Sequence, residues 1–218
     1  MSLWIKICAN TSLEDARLAV KAGADALGFV FAPSPRRVTP EHVAAITPHL
    51  PASIEKIGVF VDAALDEIVS VVRTCGLTGV QLHSASGAEL PAQLRVEVGP
   101  GLRILRVVHF APNAAERANA FAADPNVNGV LVDSRTATAV GGTGIAFDWN
   151  EASRTVFTAT AAARLIAAGG LDPGNVARAI ATLHPWGVDV ASGVELAPGR
   201  KDPAKVHAFI ANARAASL

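Results

Sequence analysis

Eight short apolar runs recur along this chain, each followed by an amphipathic, alanine-rich segment, and that alternation dictates what it can fold into. The runs are Leu3–Ile7, Ala26–Phe31, Lys56–Val61, Gly79–His83, Arg103–Val108, Gly129–Asp133, Arg164–Ala168 and Gly187–Val190. Helix starts punctuate the gaps. Thr11 and Glu14 stand at a capping-box spacing, and Thr39-Pro40, Asp172-Pro173 and Asp202-Pro203 each pair a capping residue with proline. After the last of these, Val206, Phe209, Ile210 and Ala213 recur at the helical interval. Strict β-α alternation implies a parallel sheet, and eight repeats suggest closure into a barrel. The expectation is one (β/α)8 barrel domain over residues 1–218, near the lower size limit of that fold. An open doubly wound sheet is the alternative; it would more comfortably show a Gly-x-Gly-x-x-Gly turn, and the sequence has none.

Composition narrows the function classes. Half of the residues are hydrophobic, so a large core can be buried, and 19 basic against 19 acidic residues leave no net charge. That balance argues against a nucleic-acid binder, which needs a basic excess on one face. No apolar run approaches the ~18 residues of a membrane span, and no apolar leader is evident. Two cysteines, Cys8 and Cys75, make no disulfide framework. A reduced, cytoplasmic protein is expected, with no membrane partner. Oligomeric state is left open, a monomer being compatible with the sequence.

Strand alternation sorts the polar candidates. In the first run Leu3, Ile5 and Ile7 share the face that an outer ring of helices demands, so Lys6 and Cys8 should point into the barrel. The same logic turns Gln81 and His83, Arg106, Asp133 and Asp189 inward. Buried polar groups cost desolvation unless paired, so these strands imply a polar network with its upper members facing a site. Closure brings the first and eighth strands together, and Lys6 and Asp189 are expected to form a buried ion pair. The alternative is a Lys6 that snorkels to the barrel floor.

Glycine-rich turns follow the later strands at Gly141-Gly142-Thr143-Gly144, Gly169-Gly170 and Ser192-Gly193. In α/β barrels the loops after strands seven and eight often hold a phosphate, and Gly169-Gly170 and Ser192-Gly193 fall there. Arg36 and Arg37 lie after the second strand beside Pro35, where a guanidinium fork suits a carboxylate. One of the two is expected to be merely solvated. His83 reads either as a base or as a hydrogen-bonding partner of Gln81. Cys75, before Gly76, reads as core. No spacing suggests a metal site, and no nucleotide fingerprint occurs.

Together these blocks resemble the phosphoribosylanthranilate isomerase family of tryptophan biosynthesis. Lys6-Ile7-Cys8, Gly28-Phe29-Val30-Phe31, Ser34-Pro35-Arg36, Gly58-Val59-Phe60, Val80-Gln81-Leu82-His83, Val132-Asp133, Gly141-Gly142-Thr143-Gly144, Ala168-Gly169-Gly170-Leu171 and Val188-Asp189-Val190 with Ser192-Gly193-Val194-Glu195 follow in family order. The resemblance implies a cofactor-free Amadori rearrangement of a phosphorylated small molecule. It assigns the general base to Cys8, the general acid to Asp133 and the grip on the anthranilate carboxylate to Arg36. Gln81, His83, Gly142, Gly169, Gly170, Ser192 and Gly193 are the remaining expected substrate-binding positions. A free thiol is only ~3% ionised at neutral pH, so Lys6 is expected to help Cys8, while Asp133 needs a protonated form. Ala9 and Ser84 stand where the family usually has glycine, and Ala191 where it often has serine. Any positive φ at the first two would store ~1–2 kcal/mol. Two other readings stay open: the related barrel isomerase of histidine biosynthesis, and a non-catalytic phosphate-ligand barrel.

Overall fold

Eight parallel strands close into a barrel: β1 (Trp4–Ile7), β2 (Ala26–Val30), β3 (Glu55–Phe60), β4 (Gly79–Leu82), β5 (Arg103–His109), β6 (Gly129–Asp133), β7 (Leu165–Ala167) and β8 (Gly187–Val190). Each pairs with the next, and β8 returns to β1 with Lys6 opposite Asp189. This is a computed structural model that describes residues 3–83, 87, 89–134, 148–158 and 164–217. Among the described residues eight α-helices alternate with the strands: α1 (Leu13–Ala22), α2 (Pro40–Ile46), α3 (Leu65–Cys75), α4 (Leu90–Val98), α5 (Ala114–Ala123), α6 (Trp149–Ala152), α7 (Val176–Leu183) and α8 (Pro203–Ala216). A short hairpin, β9 (Glu195–Ala197) with β10 (Arg200–Lys201), follows β8.

Two apolar layers follow from the strand period of two. Outward residues such as Ile5, Ile7, Phe29 and Val80 pack with the helices, while a separate inner cluster holds Trp4, Ile57, Leu105, Leu131 and Ile166. Trp186 stacks on Trp4 at 5.3 Å between ring centroids and packs against that inner cluster. Helix α8 buries Val206, Phe209, Ile210 and Ala213, the stripe its sequence spacing marks out. Thr39 and Asp202 cap α2 and α8 with their side-chain oxygens, each ahead of a first-turn proline.

Three local expectations need correction. The cap of α1 is Ser12, whose oxygen accepts from the Asp15 N–H; Thr11 instead donates to the Gly199 carbonyl and so ties α1 to the β9–β10 turn. Asp172 accepts from the N–H groups of Gly174 and Asn175 in a turn, and α7 starts only at Val176. Arg106 does not face the barrel interior. Leu105 and Val107 hold the inner face of β5, so Arg106 points to the helix layer and lays its guanidinium over Phe121 of α5, 4.3 Å from the ring centroid. A long stem and an aromatic platform let an arginine lie under a helix.

Candidate active site

A polar column rises through the barrel above the Trp4 layer. Lys6 is fully buried, and its Nζ donates to Asp189 Oδ1 at 2.7 Å and to Gln81 Oε1 at 2.8 Å. The expected ion pair is therefore present. Burial disfavours the Lys6 ammonium, but Asp189 and the nearby thiol outweigh it, so its pKa lies above the ordinary lysine value. Because Gln81 Oε1 accepts from Lys6, its Nε2 donates to His83 Nε2 at 2.7 Å, which places the imidazole proton of neutral His83 on Nδ1. His83 is thus a partner in the column, with its Nε2 already engaged. The next inward position is His109 at the tip of β5, its ring 6.2 Å from that of His83 and its backbone in register with Asp133.

Cys8 sits one alternation above Lys6, at the carboxyl end of β1, and is 6% exposed. Its sulfur rests directly on β2: a Cβ added to Gly28 would lie 2.6 Å from Cys8 Sγ and 3.0 Å from Lys6 Cε. No larger residue at 28 leaves the thiol where it is. Burial pushes the Cys8 pKa above the ordinary thiol value; Lys6 and Lys201 pull it down but do not prevail. Lys6 acts on the thiol in the expected direction, and its pairing with Asp189, whose charge raises the thiol pKa, dilutes the effect. Ala9, the next residue, has φ +61°, so the strain anticipated for this departure from glycine is real. Ser84, the other departure from glycine, lies outside the described residues.

Asp133 ends β6 and is 5% exposed. It abuts the Gly169-Gly170 turn, since a Cβ on Gly169 would run into Asp133 Oδ1 and Ser134 Oγ. Gly169 and Gly170 both take positive φ, 78° and 66°, a conformation that side chains resist. Asn175 holds this turn by donating to the Gly170 carbonyl at 2.8 Å. A Cβ on Gly193 would fall 1.9 Å from the Leu171 carbonyl oxygen, so the Ser192-Gly193 turn presses against the Gly169-Gly170 turn. Two such turns side by side supply the kind of backbone N–H surface that suits an anion. Gly142 lies outside the described residues. Asp148 is an exposed cap of α6 that accepts from the N–H groups of Asn150 and Glu151.

Arg36 and Arg37 separate as expected. Arg37 is exposed, whereas Arg36 is part-buried and forks onto Glu195: Nε reaches Oε1 and Oε2 at 3.0 and 2.9 Å, and Nη2 reaches Oε2 at 2.7 Å. Glu195 Oε1 also accepts from Lys201 Nζ at 3.2 Å, and that ammonium donates to the Cys8 carbonyl at 2.5 Å and the Ala191 carbonyl at 3.3 Å. Lys201 thereby ties the ends of β1 and β8 together, and its burial lowers its pKa. Glu195, Lys201 and His109 carried no role in the sequence reading. The first two sit in a hairpin beyond the last strand, where alternation gives no direction; His109 was legible by continuing the Leu105–Val107 alternation one step. Among the described residues no group of three or more His, Cys, Asp or Glu is arranged to hold a metal ion, and no helix is long and apolar enough to cross a membrane.

A closed parallel barrel with a thiol, a carboxyl group and glycine turns at the carboxyl ends of its strands belongs to the (β/α)8 class, whose enzymes build their sites at that end. The comparisons narrow the class. The family model described as N-(5'phosphoribosyl)anthranilate (PRA) isomerase matches residues 5–212. An N-(5'-phosphoribosyl)anthranilate isomerase from Citrifermentans bemidjiense is 47% identical over 216 residues, 98% of either chain. The solved phosphoribosyl anthranilate isomerase of Thermotoga maritima superposes with a TM-score of 0.84 at 34% identity, covering 98% of this chain and 99% of its own. A phosphoribosyl anthranilate isomerase in complex with reduced 1-(o-carboxyphenylamino)-1-deoxyribulose 5-phosphate gives 0.81 at 33%, with the same coverage. The chain belongs to the phosphoribosylanthranilate isomerase family.

Proposed function

We propose that this protein converts N-(5-phosphoribosyl)anthranilate to 1-(2-carboxyphenylamino)-1-deoxyribulose 5-phosphate, the Amadori step of tryptophan biosynthesis, without a cofactor. The observation that supports it most is the full-length family match combined with a buried thiol at the tip of β1 and a buried carboxyl group at the tip of β6. In this reading Asp133 protonates the furanose ring oxygen and opens the ring to an iminium. Cys8, as thiolate, then removes the proton from the second sugar carbon. The resulting enolamine gains a proton at the first carbon and loses its hydroxyl proton to become the aminoketose; Cys8 gives up the proton it took and Asp133 regains the one it gave, so the net change is an isomerisation. Each such group typically contributes ~10²–10⁴ in rate.

The Gly169-Gly170 and Ser192-Gly193 turns take the phosphate, with Gly142 as a third contact. Arg36 takes the anthranilate carboxylate, and Gln81 and His83 line the sugar. Gripping the two ends converts remote binding energy into orientation at the reacting carbons. The histidine-pathway isomerase is disfavoured by Cys8, because the resemblance gives that enzyme an aspartate there.

The test follows the intrinsic fluorescence of phosphoribosylanthranilate, which wild type should abolish. Cys8→Ser and Asp133→Asn should each lower turnover by ~10² or more while leaving binding of the product analogue intact. A protein that binds the substrate without consuming its fluorescence is a phosphate-ligand barrel instead. A Cys8→Ser variant with near-normal turnover removes the base assignment.

A further inference from the structure

The guanidinium of Arg36 has two edges that can take a carboxylate side by side, and Glu195 occupies one of them. Glu195 engages Nε and Nη2, the lateral edge, with both of its oxygens. Nη1, at the terminal edge, has no hydrogen-bond partner among the described residues. Glu195 is itself fixed: Lys201 Nζ and the Gly199 N–H both donate to Oε1, and its side chain is 4% exposed. The Arg36 side chain is 12% exposed, so it is seated in the wall with its terminal edge left over. Asp15 accepts from the backbone N–H of Lys201 and so holds the β9–β10 hairpin rather than the guanidinium.

We propose that Glu195 is a positioning residue: by clamping the lateral edge of Arg36 it presents the terminal edge to the planar carboxylate of an aromatic amine. The inference rests on the function proposed above and adds to it the residue that fixes the orientation of the gripping arginine. A flexible arginine would lose side-chain freedom on binding, whereas a clamped one has already lost it. The clamp also has a sign. With Arg36 in place Glu195 aids a carboxylate ligand; with Arg36 removed it is a buried negative charge close to where that carboxylate would lie.

The experiment is a double-mutant cycle on Arg36 and Glu195, read by substrate fluorescence and by binding of the reduced product analogue. Glu195→Gln should raise KM roughly tenfold or more, as loss of a charge-assisted hydrogen bond predicts, with kcat within threefold. Inhibition by ribose 5-phosphate, which lacks the aromatic carboxylate, should be unchanged. In an Arg36→Ala background Glu195→Gln should raise KM no further. If Glu195→Gln does not fold, Glu195→Asp, whose stem is one carbon short of Arg36, carries the same expectation. The proposal is overturned by an unchanged KM in Glu195→Gln, by a parallel loss of ribose 5-phosphate affinity, or by an equal KM increase in both backgrounds. A wild type that does not consume the substrate defeats the proposed reaction, a result separate from each of these.

Discussion

Adding one methyl group at Gly28 should disable the site while barely altering the fold. The Cβ of Gly28→Ala would lie 2.6 Å from Cys8 Sγ and 3.1 Å from Cys8 Cα. Non-bonded contacts settle at ~3.5–4.0 Å, so the sulfur must retreat by about 1 Å. A displacement of that size at a reacting group costs ~10²-fold in rate. Overpacking of this kind also costs ~1–3 kcal/mol, or about 2–4 °C in Tm per kcal/mol at this chain length. Gly58→Ala is the control. Its Cβ would meet Leu77 Cδ1 and Phe60 Cε2, both at 2.7 Å and both in the outer apolar layer, so it strains the molecule away from the chemistry. Thermal melts and fluorescence-based turnover on both variants separate the effects. Both should lose stability, and only Gly28→Ala should lose turnover. If Gly28→Ala keeps kcat within threefold of wild type while melting like Gly58→Ala, the sulfur does not act from the position described.

Two further predictions rest on the buried charges. Lys6→Met leaves Asp189 in the interior without its cation and should cost ~3–5 kcal/mol in urea unfolding; a variant as stable as wild type would show that the pair is not a structural element. Because burial holds the Cys8 thiol above its ordinary pKa, the free enzyme carries the inactive thiol at neutral pH. The rate at which iodoacetamide labels Cys8, followed by mass spectrometry, should therefore climb with pH, tenfold per unit, through neutrality and into the alkaline range. A labelling rate already level at neutral pH contradicts the raised thiol pKa.

Much of the fold was legible because period-two burial and helix caps are local signals. The eight apolar runs become eight strands whose ends shift by at most one residue, and closure of eight strands by itself makes Lys6 and Asp189 neighbours. Arg106 escapes the same reasoning because polarity does not by itself give an inward direction: Phe121 offers it a cation-π platform beneath α5. Ser12 and Thr11 compete for one cap, and only the return of the β9–β10 turn to Thr11 decides between them. Glu195 and Arg36 lie 159 residues apart, and no periodicity links a loop after β2 to a hairpin after β8. The depth of Cys8 was likewise hidden: alternation tells which way a side chain points, not how much water reaches it.

The most direct measurement is a crystal structure of this protein with the reduced product analogue bound. It should show Cys8 Sγ and the Asp133 carboxyl group on opposite sides of the sugar carbons, the phosphate on the N–H groups of the Gly169-Gly170 and Ser192-Gly193 turns, and the ligand carboxylate on Arg36. A phosphate seated elsewhere, or a sugar out of reach of the Cys8 sulfur, would contradict the account.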